Sequence, residues 1–259
     1  MQKKNKIALY RCMFGDYDLI LNELFIMPNV DYYLFTDNDA LEVSPYHKII
    51  VEQDKDNPSI SNRAIKMKLP DILRSYELTI YIDSNIGIMS DLNPLISDFV
   101  HNGATMASFS HPRHHSLAQE IESCRVNGQA SINLMEEERL FYSTEPFPIR
   151  DRLSDNSIIF RKKYDNNMIA AMDYWFELTK KYSGRDQLSL PAVKGRFNIN
   201  DFFFDFSPRT RFNKYFLVFP HKLDRQESPA RKLPKFYMIF LLRYIFRYLF
   251  FIKGMIRNL

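Results

Sequence analysis

The stretch Leu78-Thr79-Ile80-Tyr81-Ile82-Asp83-Ser84-Asn85 is the most informative part of the chain. Its first five residues are apolar or β-branched, which predicts a strand buried on both faces, of the kind found in parallel sheets. Polar residues follow at once. In open α/β sheets, ligands bind beyond the carboxyl ends of the strands. The stretch therefore predicts a central strand that delivers Asp83 and Asn85 to a binding edge.

Two earlier stretches repeat this pattern of an apolar run that ends in a polar loop. Ile7–Cys12 leads into the loop at residues 14–18, and Tyr32–Phe35 leads into Thr36-Asp37-Asn38. The remaining signals predict helical segments within 57–76 and over 167–182, and strands at 104–108 and 157–161. Such alternation favours an α/β fold with a Rossmann-type mixed sheet flanked by helices. Residues 110–155 have few strand signals and are expected to form an insertion.

The composition bounds the class of protein. The chain has 259 residues, of which 46% are hydrophobic and 25% charged, with 7 glycines. This suits one globular domain of catalytic size and excludes collagen-like or glycine-rich architectures. Cys12 and Cys124 lie far apart, which indicates neither a structural zinc site nor a disulfide framework. Arg11 interrupts the first apolar run, so we expect no signal peptide and a cytosolic compartment.

Asp83 and Asn85 offer two oxygen ligands from one turn. Mg²⁺ and Mn²⁺ take oxygen ligands and bridge phosphate oxygens. The pair is therefore consistent with a cation that neutralises a departing diphosphate. The alternative is that Asp83 only caps the turn, and the residues by themselves leave both interpretations open.

Several ordered motifs together resemble a known family. They are residues 7–18 (IALYRCMFGDYD), 31–38 (DYYLFTDN) and 81–86 (YIDSNI), then Asn62-Arg63 with Lys66, His111-Pro112-Arg113 with Glu120, and 185–189 (RDQLS). They resemble the glycosyltransferase-like family named after plant mucilage and turgor-regulation proteins, which has relatives in bacterial surface-polysaccharide loci. The likeness covers residues 7–190.

The resemblance implies a GT-A-like fold that binds a nucleotide sugar and a divalent cation, Mn²⁺ or Mg²⁺. It puts Asp83-Ser84-Asn85 where other GT-A enzymes have an Asp-x-Asp motif. Asn85 departs from that acidic pair, which lowers the charge available to a metal. In the broader class a late histidine completes the metal site, and His221 is the only histidine after residue 115. The alternative for His221 is a surface position.

The donor site is expected to combine loop residues with cations. The resemblance places Phe14, Asp16 and Asp37 near the base or ribose of the donor, and Asp83 near its phosphates. Arg63 and Lys66 are three residues apart, so on a helix they share a face and hold phosphates or a sugar carboxylate. A solvated helix face is the alternative.

The pair Asp186-Gln187 resembles the Asp-Gln that other sugar transferases place near donor or acceptor hydroxyls. If the reaction inverts the anomeric centre, Asp186 is the first candidate for the general base, because a carboxylate must remove the acceptor hydroxyl proton. The sequence does not decide between inversion and retention.

A third group, His111, Arg113 and Glu120, is expected to line the acceptor or donor pocket. The alternative is that these residues only hold their loop together. With His114 and His115 they suggest zinc, but the helical His-Glu-x-x-His arrangement is missing. Zinc is therefore not the predicted metal.

The last thirty residues interleave cations with aromatic and aliphatic side chains. The charges leave no apolar stretch of the roughly twenty residues that a membrane-spanning helix needs. On a helix with about 100° per residue the cations share one arc and the other side is apolar, as in helices that lie on anionic membranes. Packing on protein is the alternative. The predicted membrane-facing cations are Lys235, Arg243, Arg247, Lys253 and Arg257.

We therefore expect a catalytic domain at 1–228 and a membrane-associating helix at 229–259. The predicted function is metal-dependent transfer of a sugar, from a UDP-sugar by preference, to a glycan or lipid-linked acceptor of the lipopolysaccharide or capsule type at the cytoplasmic membrane face. A second hypothesis is a catalytically inactive, membrane-docked binding protein of a polysaccharide-assembly complex. A third, another metal-dependent phosphate enzyme, lacks a phosphate loop. No nucleic-acid motif accompanies the basic stripe.

Overall fold

The computed structural model describes residues 6–15, 18, 20, 22–52, 54, 57–128, 130–150, 152–162, 164–210 and 213–219. Chain contacts define one unit of Met1–Asp16 with Ile20–Phe219 and another of Tyr17–Leu19 with Pro220–Leu259. The fold described here is that of the first unit. The predicted domain boundary at 228/229 lies outside the described residues and stays a prediction.

Nine strands and six α-helices are present in the described part of the chain. The strands are β1 (Ile7–Met13), β2 (Val30–Thr36), β3 (His47–Ile50), β4 (Leu78–Ile82), β5 (Ile86–Ile88), β6 (Met106–Ser110), β7 (Ser154–Lys162), β8 (Asp201–Phe204) and β9 (Phe216–Val218). The helices are α1 (Pro58–Lys68), α2 (Asn93–Asn102), α3 (Leu117–Val126), α4 (Ile132–Thr144), α5 (Asn166–Lys181) and α6 (Asp186–Arg196).

Seven strands form one mixed sheet in the order β3-β2-β1-β4-β7-β6-β8, and β5 pairs with β9 separately. In the seven-stranded sheet, β7 is antiparallel to both of its neighbours, β4 and β6, while the other neighbouring strands of that sheet are parallel. The carboxyl ends of β1, β2, β4 and β6 therefore meet the amino end of β7 at one edge of the sheet. The predicted α/β class with a mixed sheet and flanking helices is confirmed.

Alternating side chains divide the core between the two faces of this sheet. In β1, Tyr10 lies in a cluster with residues of α1, α5 and α6, whereas Leu9 lies in a cluster with residues of α2. Burial of apolar surface on both faces is what the continuous apolar run at 78–82 predicts, and every residue of β4 is buried.

Helix boundaries follow local sequence signals. Pro58 lies in the first turn of α1, where its missing N–H costs nothing. The helix ends at Lys68, and its C-cap residue Leu69 has a φ of 48° and is followed by Pro70. Asp165 caps α5 by accepting a hydrogen bond from the Met168 N–H at 2.9 Å. Among the residues described, none of the helices is long and apolar enough to cross a membrane.

Candidate active site

Three predicted site residues meet at the carboxyl edge of the sheet. The Lys66 ammonium, in the last turn of α1, lies 2.7 Å from a carboxylate oxygen of Asp186 at the start of α6. It also lies 3.8 Å from the Asp83 carboxylate, just after β4. Lys66, Asp83 and Asp186 have side-chain exposures of 12%, 30% and 20%. The cluster is thus largely desolvated but open to a ligand.

The two carboxylates differ in their electrostatic environment. Burial alone raises the pKa of Asp186, but the Lys66 ammonium, helped by the Arg185 and Arg63 guanidinium groups, outweighs burial and lowers that pKa to about 2. Asp186 also opens α6, where the helix N-terminus stabilises a negative charge. For Asp83, burial outweighs Lys66 and raises the pKa above its ordinary value. Asp186 is therefore held ionised, and Asp83 is the better proton acceptor of the two in the unliganded protein.

Buried hydrogen bonds fix both ends of the Lys66–Asp186 pair. The buried Arg161 guanidinium donates to the Lys66 backbone carbonyl at 2.7 Å and to the Tyr10 hydroxyl at 2.7 Å. The Trp175 indole N–H donates to the Asp186 carbonyl at 3.0 Å. These contacts tie α1 and α6 to the sheet and to α5, so the pair is preorganised.

A buried ion pair supports the turn that carries Asp83. Arg11 donates to the carbonyls of Asp83 at 2.9 Å and Ser84 at 3.4 Å, and it pairs with Glu23 at 2.5 Å. Arg11 and Glu23 have side-chain exposures of 2% and 1%. Tyr46 bonds both partners, and Glu23 accepts from the Ile88 N–H at 3.1 Å. The Asp83-Ser84 turn is therefore held in place by the buried Arg11–Glu23 pair.

Asn85, the second predicted oxygen ligand, is buried to 3% exposure. Its amide nitrogen donates to the Phe219 carbonyl at 2.9 Å, and the Phe219 N–H donates back to the Asn85 carbonyl at 2.8 Å. This exchange attaches the segment after β9 to the turn. Asp83 is consequently the ligand on which the cation hypothesis mainly rests.

A second polar cluster adjoins the first through the start of α6. The Arg185 guanidinium donates to the Glu120 carboxylate and to the Gln187 side-chain oxygen, both at 3.1 Å. Glu120 also bonds His114 Nδ1 at 2.5 Å, and His111 Nε2 lies 3.8 Å away. The predicted pocket residues His111 and Glu120 are therefore brought together with the predicted catalytic residue Gln187, which follows Asp186 in the chain.

The imidazoles and Glu120 form the one group of three candidate metal ligands detected among the described residues, with ligand atoms within 4.8 Å of one another. Burial raises the pKa of Glu120, but hydrogen bonds from His114 and Arg185 outweigh it and lower that pKa. An ionised carboxylate only accepts hydrogen bonds, so Nδ1 of His114 carries the proton between them. The hydrogen bonds from His114 and Arg185 therefore satisfy Glu120 without a metal.

Two site residues are absent from the sequence predictions. Arg209 donates to the Asp155 carboxylate at 2.9 Å, and its charge acts to lower the pKa values of Asp83 and His111. Asp155 begins β7 at the same edge of the sheet. The run Ser154-Asp155-Asn156-Ser157, polar and directly before an apolar strand, was the available signal.

The remaining predicted residues lie outside the two polar clusters or outside the described part of the chain. Phe14 is fully buried in the main core, so its predicted donor contact is not supported in this conformation. Asp37 accepts from the Gly15 N–H at 3.3 Å and so joins the loops after β1 and β2. Arg63 bonds Ser59 at 2.9 Å, and Arg113 is exposed. Asp16, His221, Lys235, Arg243, Arg247, Lys253 and Arg257 lie outside the described residues.

One protein-family profile matches most of the chain. The profile described as "TOD1/MUCI70, glycosyltransferase-like domain" matches residues 1–221. No curated protein matches the chain. A solved structure titled "WbbM bifunctional glycosytransferase apo structure" is similar at a TM-score of 0.48 and 12% identity, over 79% of this chain and 39% of that one. The chain thus spans well under half the length of that bifunctional protein.

Proposed function

This chain belongs to the TOD1/MUCI70 glycosyltransferase-like domain family, and from that premise we propose that it transfers a sugar from a nucleotide-sugar donor to a glycan acceptor. The observation that carries the proposal is the partly exposed Lys66–Asp186–Asp83 cluster at the carboxyl edge of the sheet. In open α/β folds this edge is where ligands bind.

The donor's diphosphate is the group that the local cations suit best. Lys66 lies between the two carboxylates, and the charges of Arg63 and Arg185 both act on Asp186. Guanidinium and ammonium groups bind phosphate oxygens with charge-assisted hydrogen bonds. The nucleoside lies, in this proposal, toward Asp37 and the loop after β1, with uridine as the favoured base.

A divalent cation, Mn²⁺ or Mg²⁺, fits Asp83 by its oxygen donor and its 30% exposure. Its chemistry, when bound, would be to neutralise the diphosphate leaving group. Lys66 supplies part of the same neutralisation, since its ammonium faces Asp83 as well. The proposal for His221 as a further ligand rests on the sequence alone.

The chain's own residues supply the acid–base chemistry. In the transfer, an acceptor hydroxyl oxygen bonds to the anomeric carbon, the bond from that carbon to the diphosphate breaks with its electron pair on the diphosphate, and the hydroxyl proton passes to a carboxylate. Asp186 fills this role once donor phosphates draw Lys66 away, because loss of that ion pair raises its pKa. Gln187 beside it orients hydroxyl groups.

The acceptor side is assigned to the cluster around Glu120. His111 and Gln187 flank its carboxylate together with Arg185, which is a polar surface suited to sugar hydroxyls. We propose a surface glycan or lipid-linked acceptor, reached from the cytoplasmic face of the membrane by the basic C-terminal segment 229–259. Its composition is the support for this location.

The rival is a catalytically inactive binding protein of the same family. Turnover separates the two: purified protein is incubated with Mn²⁺ and a panel of nucleotide sugars, and release of nucleoside diphosphate is followed. We expect turnover of one donor, a loss of about 10²-fold or more in Asp186→Asn, and full activity in Asp173→Asn on the surface of α5. Donor binding without any turnover by folded protein, with acceptor glycans supplied, would favour the inactive protein.

A further inference from the structure

Two adjacent residues of β7 contain buried polar atoms that the protein does not satisfy. Asn156 and Ser157 are 1% and 2% exposed. The Asn156 amide nitrogen and the Ser157 hydroxyl oxygen have no hydrogen-bond partner in the part of the chain that the structure describes. Native proteins rarely leave such groups unpaired, and each instance needs an explanation.

Their position in the sheet relates them to the cluster around Asp83. Strands β4 and β7 pair Ile82 with Ile158, and the Asp83 N–H donates to the Ser157 carbonyl at 2.8 Å. Ser157 is thus the cross-strand neighbour of Asp83. Ile158 packs in the core on the α2 face. Because side chains alternate along a strand, Ser157 lies on the opposite face, where Lys66 and Asp186 lie.

The start of β7 is shaped by its own side chains. Ser154 donates to the Asn156 side-chain oxygen at 2.6 Å, and the Ser157 N–H donates to the Asp155 carboxylate at 3.1 Å. The pairing of β7 with β6 shifts register at this point. Bulges of this kind redirect side chains next to functional sites. The Ser154 bond occupies the oxygen end of the Asn156 amide, and the nitrogen end stays unpaired among the described residues.

On the basis of the proposed function, we infer that Ser157 binds a hydroxyl group of the donor's sugar, beside the phosphate-binding Lys66. A serine hydroxyl both donates and accepts hydrogen bonds. The proposal requires Arg209, whose side chain is 43% exposed and bonds Asp155, to rotate away and admit the sugar. Ser157 then helps to determine which sugar is transferred.

The test compares binding of a nucleoside diphosphate with binding of its sugar conjugate. Calorimetry with UDP and UDP-glucose, UDP-galactose and UDP-N-acetylglucosamine, and with the guanosine and thymidine counterparts, is run on wild type and Ser157→Ala. We expect the free nucleotide to bind both proteins alike. The affinity for the preferred nucleotide sugar, relative to its nucleotide, is expected to fall about tenfold in Ser157→Ala.

Stability provides the second readout. Ser157→Ala removes no hydrogen bond within the described protein, so its melting temperature should equal that of wild type. The matched control is Ser189→Ala, because that buried hydroxyl bonds Thr179 at 2.6 Å, and its melting temperature should fall while its sugar selectivity stays unchanged.

Each outcome has a separate meaning. A Ser157→Ala variant that keeps the wild-type ratio of sugar to nucleotide affinity, or that is destabilised like the control, would overturn the sugar-binding role and leave the proposed function intact. Failure of folded wild type to bind any nucleotide or nucleotide sugar would overturn both.

Discussion

The Lys66 ammonium lies 2.7 Å from the Asp186 carboxylate, although 120 residues separate them in the chain. The pair joins the last turn of α1 to the first residue of α6, and the same ammonium faces Asp83 at 3.8 Å. One cation therefore compensates two carboxylates at the proposed donor site. The charge state of this cluster is open to direct test.

Replacing Lys66 with Met should change how stability depends on pH. In wild type the pKa of Asp186 is lowered to about 2, so its contribution of about 2 kcal/mol is present above about pH 4 and is lost as the pH falls toward 2. Without Lys66, only Arg185 and Arg63 oppose the effect of burial, so the pKa of Asp186 is higher than in wild type. We expect Lys66→Met to be less stable at pH 7 and to lose less on acidification.

The measurement is urea unfolding at pH 7 and pH 3. Asp83 changes stability in the opposite direction as the pH falls, because its pKa is raised. The quantity to compare is therefore the difference in unfolding free energy between variant and wild type at each pH. The control is Lys68→Met on the same helix, where the side chain is 42% exposed and a change below about 0.5 kcal/mol is expected. Equal pH profiles for Lys66→Met and wild type would contradict the assigned electrostatics.

The buried Arg11–Glu23 pair should be costly to break from one side. Arg11→Met leaves the Glu23 carboxylate desolvated and unpaired with its cation, so we expect the free energy of unfolding to fall by about 3–5 kcal/mol. It should also weaken donor binding, since two bonds to the Asp83-Ser84 turn are lost.

The double variant Arg11→Met/Glu23→Gln should recover part of the lost stability, as measured by guanidinium denaturation. The exposed pair Lys6–Glu77, with 64% and 66% exposure, provides the comparison, and Lys6→Met should shift stability by less than about 1 kcal/mol. Additive effects of the two buried substitutions would refute the coupling.

Gly195 in α6 should tolerate no side chain. A Cβ there would lie 1.8 Å from the Pro148 carbonyl oxygen, a backbone atom that cannot rotate away. Gly195→Ala is expected to lower the free energy of unfolding by more than about 3 kcal/mol. Gly184→Ala, where φ is 72° but nothing lies within 4 Å, should cost only about 1–2 kcal/mol. Similar values for the two variants, by thermal unfolding, would contradict the close packing of α6.

The His111–His114–Glu120 group should not need a metal. Because the His114 proton and Arg185 satisfy Glu120, chelation with EDTA is expected to leave the melting temperature unchanged, and purified protein should contain no stoichiometric zinc by elemental analysis. His114→Ala should lower stability by about 1–3 kcal/mol through the lost bond to a charged partner. One zinc per chain that disappears in His114→Ala would disprove this interpretation.

The central strands were predictable because a short, continuous apolar run fits a strand that is buried on both faces of a sheet. Residues 7–12, 32–35 and 78–82 form β1, β2 and β4 with shifts of a few residues at their ends. Strand β3 escaped prediction since its four residues are partly exposed. The pairing of β5 with β9 joins segments more than a hundred residues apart, which no local pattern encodes.

The sequence allowed the individual site residues to be identified, but it did not show which of them are in contact. Lys66, Asp83 and Asp186 were each identified, yet no periodicity relates the end of α1 to the start of α6. Phe14 is fully buried, and its predicted donor contact stays a prediction, because an aromatic residue after a strand fits a nucleoside contact and a core position equally well. Arg209 was missed since its partner Asp155 is brought near only by the pairing of β7 within the sheet.

Donor binding at Asp83 is tested most directly by calorimetry with a nucleotide-sugar panel, with and without Mn²⁺, on wild type, Asp83→Ala and the surface control Asp98→Ala on α2. We expect one donor to bind wild type and Asp98→Ala in a Mn²⁺-dependent manner and to bind Asp83→Ala at least about tenfold more weakly. Unchanged binding in Asp83→Ala would remove Asp83 from the site, and no donor binding by folded wild type would contradict the glycosyltransferase assignment.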